Sequence, residues 1–254
     1  MDNDLLKQLP AAPEWALLAG PIGKFLIFGG IGLFLASIVL WALEARRPTL
    51  RKPAVICFFA GCLSLLGTMA SLVSLFVTNQ FEYQYVISHG DRLTSLGYKV
   101  AGVWTAQQGS FLLWGCTSAL FGMLAFRSMG LYRRWYSITI SVFLACICGI
   151  LAYDTPFEMM KGLTVNGIVK LPHDGAGMTP ALQNYWVIIH PPTIFSGFGS
   201  LVVLFALAVA AMLTGNVTDW VKVVRPWALI SASILGLGLC MGGMWAYETQ
   251  GWGG

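Results

Sequence analysis

Thr193-Ile-Phe-Ser-Gly-Phe-Gly-Ser-Leu-Val-Val-Leu-Phe-Ala-Leu-Ala-Val-Ala-Ala-Met-Leu213 is a run of 21 residues without one charge. A helix that crosses hydrocarbon needs about 20 mostly apolar residues, so this run predicts a membrane span. Five further windows read the same way, at 21–43, 54–77, 100–126, 136–153 and 227–247. The whole chain of 254 residues is 57% apolar and 10% charged, where a soluble domain carries roughly 25% charged residues. No alternating pattern suggests a barrel, and within lipid each segment must satisfy its own backbone polar groups. The fold class predicted is therefore all-α, a single polytopic transmembrane helix bundle of about six spans.

Charge gives the bundle a direction, because connections on the inner side of a membrane are enriched in Lys and Arg. The connections after the first, third and fifth spans hold Arg46, Arg47, Arg51, Lys52, Arg127, Arg133, Arg134, Lys222 and Arg225. Against these stand Glu44 and Asp219, a net of +7 on that side and −3 on the other. The N-terminus is thus expected outside, which in a bacterium is the periplasmic face of the inner membrane. Asp2 and Asp4 stand where a cleavable signal would carry basic residues. Residues 1–20 read instead as a short leader or interfacial segment, with Trp15 at headgroup depth. Three stretches face outward: 79–99, a long loop over 154–190, and everything after Tyr247.

The six cysteines, Cys57, Cys62, Cys116, Cys146, Cys148 and Cys240, all fall in apolar runs. No CxxC is present, so neither a thioredoxin-like nor a zinc site is indicated. Cys146 and Cys148 would point apart on a helix. The set reads as small packing residues.

Chemistry-bearing residues collect on the outward side. In Tyr185-Trp-Val-Ile-Ile-His-Pro-Pro-Thr193, His190 precedes two prolines and an apolar helix. Proline suits a first helical turn, which puts His190 at the outer end of the fifth span. The positive end of the helix dipole disfavours imidazolium there, and a neutral imidazole is what a heme iron needs. Taken alone, a histidine at a helix start is more often a cap or an interfacial residue. In Gly242-Gly-Met-Trp-Ala-Tyr-Glu-Thr-Gln-Gly-Trp-Gly-Gly254, Trp245, Tyr247 and Trp252 offer flat faces, and Gly251, Gly253 and Gly254 admit a planar ligand. An aromatic belt at the membrane surface reads the same way. The third stretch, Tyr98 to Trp114, places Gln107, Gln108 and Ser110 in an apolar helix, where polar groups need partners from neighbouring helices or a ligand.

Taken together, the three stretches resemble the heme-handling cytochrome c maturation proteins, most closely the CcmF-type heme lyases, a family that includes the CcmC and CcsA/ResC types. Trp-Ala-Tyr-Glu-Thr-Gln-Gly-Trp-Gly-Gly is similar to the opening of that family's tryptophan-rich WWD signature, so 242–254 would begin the heme platform. His-Pro-Pro resembles the segment with the first external histidine, and Tyr98–Trp114 resembles the third-span motif. The resemblance implies that His190 is an axial ligand to heme iron and that Trp245, Tyr247, Gly251, Trp252 and Gly253 begin a platform for heme b. It also implies attachment of that heme to the CxxCH of apocytochrome c. The partners it implies are a CcmE-type heme chaperone, a CcmH-type thiol-reducing subunit and membrane lipid, with no nucleic acid. The second external histidine, the transmembrane histidines and the Trp-Asp part of the signature would lie beyond Gly254, so the sequence reads as part of a longer protein. Gln107 and Gln108 stand where the family usually has His and Glu, and no acid–base role is assigned to them. The 154–190 loop is expected to dock the apocytochrome or chaperone, or to act as a lid. A related heme-delivery protein and a non-heme transporter are the rival readings, though no ionisable residue lies mid-span as a coupled transporter would require.

Overall fold

The computed structural model describes residues 7–251, so Trp252 and Gly253 lie outside the described residues. Six long helices make the body of the molecule. They are α1 (Glu14–Glu44), α2 (Arg51–Val77), α5 (Gln107–Ala125), α6 (Arg133–Tyr153), α7 (Trp186–Thr214) and α8 (Trp220–Gln250). Two short helices, α3 (Gln84–His89) and α4 (Leu96–Gly102), lie between α2 and α5. By length and hydropathy alone, Gln107–Tyr153 is one 47-residue stretch, giving five able to cross a membrane. That stretch is a hairpin. Gly115 faces Ile147 and Gly122 faces Ile140, a pairing that only antiparallel helices produce. The reversal comes at Gly130, whose φ of 49° is open to a residue without a side chain.

The packed face of α1 explains the core. Its buried residues are Ala16, Gly20, Gly23, Ile27, Gly30, Phe34, Ser37 and Trp41, which alternate steps of four and three. That 3.5-residue period is the seam of left-handed helix pairs, and α1 packs mainly on α2 and α6. Phe58 stacks on Phe126 at 5.8 Å and forms, with the fully buried Phe34 and Trp41, the aromatic centre of the basic half. In turn, α7 lies against α5 and α6 on one side and against α8 on the other.

Helix boundaries differ from the sequence expectation in several places, since α7 and α8 each start seven residues before their expected windows, and three other differences have identifiable causes. First, α1 starts at Glu14 rather than near residue 21, because Pro13 supplies an extended N-cap and Pro21 is accommodated inside the helix. Second, the third span starts at Gln107, not near residue 100. Tyr85 holds a break there: its hydroxyl donates to Val103 O (2.8 Å) and accepts from Gly109 N (3.3 Å). A side chain at Gly109 would overlap the Val103 carbonyl. Gln107 and Gln108 therefore sit at a helix start, and Gln108 Nε2 donates to Asp154 Oδ1 (3.0 Å). Third, the sixth span does not leave its helix at Tyr247. It continues to Gln250 and ends at Gly251 in the left-handed conformation, whose N–H returns to Tyr247 O.

The long loop is partly ordered by pairing. Strands β1 (Thr164–Val165) and β2 (Ile168–Val169) form an antiparallel ribbon, and Ala11 bridges to Lys170. Tyr83 pairs with Met159 through the backbone and drives its ring against Gly20, donating its hydroxyl to Ala16 O (2.6 Å). These contacts tie the loop and α1 into one cap at the end of the bundle opposite the arginine-rich connections. All six cysteines are free, and Cys62, Cys116 and Cys148 are buried.

Candidate functional site

The site is built where the start of α7 meets the end of α8. Asn184 Oδ1 accepts the Trp186 N–H (3.2 Å) and starts α7 one turn before His190. His190 and its two prolines therefore occupy the second turn rather than the first. Pro191 and Pro192 have no N–H to return to Val187 and Ile188. Val187 O finds a replacement donor in Trp104 Nε1 (2.9 Å), which anchors the turn to the end of α4.

His190 turns toward α8. Its Nδ1 lies 3.0 Å from Gly238 O. A carbonyl only accepts, so Nδ1 carries the proton and Nε2 keeps its lone pair. The imidazole meets Trp245 edge to face, with ring centroids 5.6 Å apart. This approach needs glycine on α8, because a Cβ at Gly242 would stand 2.9 Å from His190 Cε1. His190, Gly242, Trp245, Ala246 and Thr249, with Ala181 and Leu182 from the loop, line an open cavity of about 330 Å³.

A carboxylate locks the two helices in this arrangement. Glu248, three residues after Trp245, accepts from Tyr185 Oη (3.0 Å), Trp186 Nε1 (2.9 Å) and Asn184 Nδ2 (3.4 Å). Beneath it, Ala101, Met178 and Val187 form a small buried cluster against Tyr98, Trp104, Leu182 and Trp245. The sequence thus brings His190 and Trp245 together as expected. It leaves Tyr247 58% exposed and outside the cavity lining, and it makes Gly251 a helix terminator. Sequence reading missed Gly238, Gly242 and Glu248. The four-residue step between the two glycines was a usable signal for close helix approach. Nothing local marks Glu248, whose partners are more than 60 residues away.

His89 gives Nδ1 to the Tyr85 carbonyl region (2.9 Å), away from the cavity. A second cavity of about 330 Å³ opens on the far flank of α7. Gln107, Ser110, Phe111, Trp114, Phe195 and Phe198 line it, with no ionisable group.

Comparison with known proteins bears on this geometry. The cytochrome C assembly protein family matches residues 104–254. The chain is 31% identical over 88% of its length to the cytochrome c-type biogenesis protein CcmF of Haemophilus influenzae, covering 34% of that protein. It is 32% identical over 89% of its length to CcmF of Escherichia coli, covering 35%. With CycK of Rhizobium meliloti the identity is 33% over 92% of the chain and 34% of the relative. The chain thus spans about a third of the length of these curated relatives. Among solved structures it is similar to the cytochrome c heme lyase CcmF, with a TM-score of 0.77 and 24% identity over 93% of this chain and 37% of that one. That likeness is one of fold.

Proposed function

We propose a function from one premise: this chain belongs to the cytochrome C assembly protein family, whose similar members are named for cytochrome c biogenesis. The proposed role is to bind heme b at the water-facing membrane border and to present it for covalent attachment to apocytochrome c. The observation that carries this reading is the convergence of His190, Gly242 and Trp245 on one cavity, with Nδ1 tied to Gly238 O.

The residues fit the group. A histidine whose other nitrogen is held by a carbonyl is oriented as metal-binding histidines usually are. Trp245 and Leu182 supply apolar walls, and the open cavity admits one face of a flat ligand. When bound, heme supplies vinyl groups across which the two thiols of a CxxCH segment add, sulfur to one carbon and hydrogen to the other. His190 Nε2 would hold the iron, Trp245 would keep water from one edge of the ring, and Glu248 keeps the two helices in register. Positioning is the catalytic device: among the described lining residues only His190 is ionisable, and Thr249 spends its hydroxyl on Trp245 O (2.8 Å). The family reading adds a CcmE-type chaperone as donor, a CcmH-type subunit that keeps acceptor thiols reduced, and an inner-membrane location with this site facing the periplasm.

The test is a hemin titration of the purified protein in detergent, followed at the Soret band. His190→Ala is expected to weaken binding by roughly tenfold or more, about the loss of one ligand-metal bond. An unchanged titration, with an unchanged melting curve, overturns the assignment of His190.

A further inference from the structure

At the arginine-rich end of the bundle, Arg51, Arg133 and Arg134 share a cavity of about 250 Å³ with Trp41, Glu44 and Leu131. The turn at Gly130 brings them there, folding the start of α6 back toward the end of α1. Their donors are under-used. Arg134 spends Nε on Trp41 O and an Nη on Ala42 O, both at 3.0 Å, capping the last turn of α1. Arg133 hydrogen-bonds only Arg127 O, at 3.4 Å, and lies over the Phe126 ring at 5.0 Å, while its Nε is buried without an acceptor. Trp41 is 1% exposed, and its indole N–H also has no acceptor. Among the described residues no carboxylate lies within 4 Å of any of these three guanidiniums, Glu44 included.

Three positive groups and one negative one leave the cavity with a charge of +2. A buried donor without a partner is destabilising, so Trp41 Nε1 and Arg133 Nε call for an acceptor. Arg51 and Arg133 are the first residues of α2 and α6, so the starts of two helices bring their guanidiniums to the same space. A group with several acceptor oxygens and a negative charge answers all of these needs at once. Leu131, 62% exposed, lines the same cavity. A free ion would make no use of it, whereas an acyl chain would cover it.

We propose that this cavity binds the phosphate of an anionic phospholipid headgroup. Arg51 and Arg133 hold the phosphate oxygens, Trp41 donates its indole N–H, and the acyl chains run down past Leu131. The site is independent of the heme reading and lies at the opposite end of the bundle.

The experiment titrates the purified chain in detergent with short-chain phosphatidylglycerol, short-chain phosphatidylcholine and inorganic phosphate, with native mass spectrometry counting bound lipid. Phosphatidylglycerol is expected to saturate at one tight equivalent, at least about tenfold tighter than phosphatidylcholine. Arg51→Gln with Arg133→Gln is expected to cancel that preference. Lys222→Gln with Arg225→Gln, on the same side but outside the cavity, is expected to keep it. Trp41→Phe keeps the packing while removing the N–H, and is expected to weaken binding by about threefold to tenfold. Equal binding of the two lipids by the unaltered chain overturns the proposal, whatever the variants do. So does equal competition by inorganic phosphate, which would make the site one for a free ion.

Discussion

Glu82 lies in the turn between α2 and α3, fully buried, with neither carboxylate oxygen hydrogen-bonded. Only its backbone is used, accepting from Met160 N (2.8 Å) where the loop crosses. Burial pushes its pKa up from 4.5 to about 7. The folded protein therefore holds a proton that the unfolded chain releases, and the stability from this group is full below about 4.5. It declines as pH rises toward 7 and is lost above that. Glu82→Gln should flatten the fall in melting temperature between about pH 5 and 8 and raise the value at the alkaline end. The gain expected there is up to roughly 3 kcal/mol, the linkage free energy of raising the pKa from 4.5 to about 7. Parallel pH profiles for the two proteins would show that Glu82 is not the titrating group. Such a residue is invisible in sequence, since Phe81-Glu82-Tyr83 reads as an ordinary surface turn. The place of His190 was legible for the opposite reason: two prolines and an apolar run set it along the chain, and the Lys/Arg asymmetry of the connections gives its expected side.

Pairs of helices carry the site, and α7 with α8 is the pair that matters. Gly238 faces Ile194, Gly242 faces His190, and Leu235 faces Gly197. Gly243, one position on, has open space where a side chain would stand. The two neighbours make a matched experiment. Gly242→Val forces the imidazole or the helix aside, and overpacking of this kind costs about 1–3 kcal/mol. Hemin affinity should fall by roughly tenfold or more, while Gly243→Val should stay within about twofold. Equal effects at both positions would mean that the close approach is not what shapes the cavity. The existence of all six long helices was readable from apolar runs. Their ends were not, because they are set by contacts across the fold. Tyr85 breaks the third span from another helix, and Glu248 extends the sixth by bonding to residues of α7.

At the scale of the whole molecule, the two ends differ in charge and in chemistry. The end with Arg46, Arg51, Arg133 and Arg134 carries the basic excess, and the other carries the ribbon, the loop and the His190 cavity. The asymmetry predicts which end meets the cytoplasm. With the six cysteines changed to Ala, Asp174→Cys should react with a membrane-impermeant maleimide in intact cells. Arg46→Cys should react only after permeabilisation. The reverse pattern would invert the bundle and overturn the proposed periplasmic facing of the His190 cavity.

Among the described residues, α8 leans along its length on α7, with one further hydrogen bond from Trp227 to Ser128 near its start. A rod braced along a single flank behaves as a lever. Whatever covers the open side of that rod therefore bears on the spacing between Trp245 and the imidazole of His190.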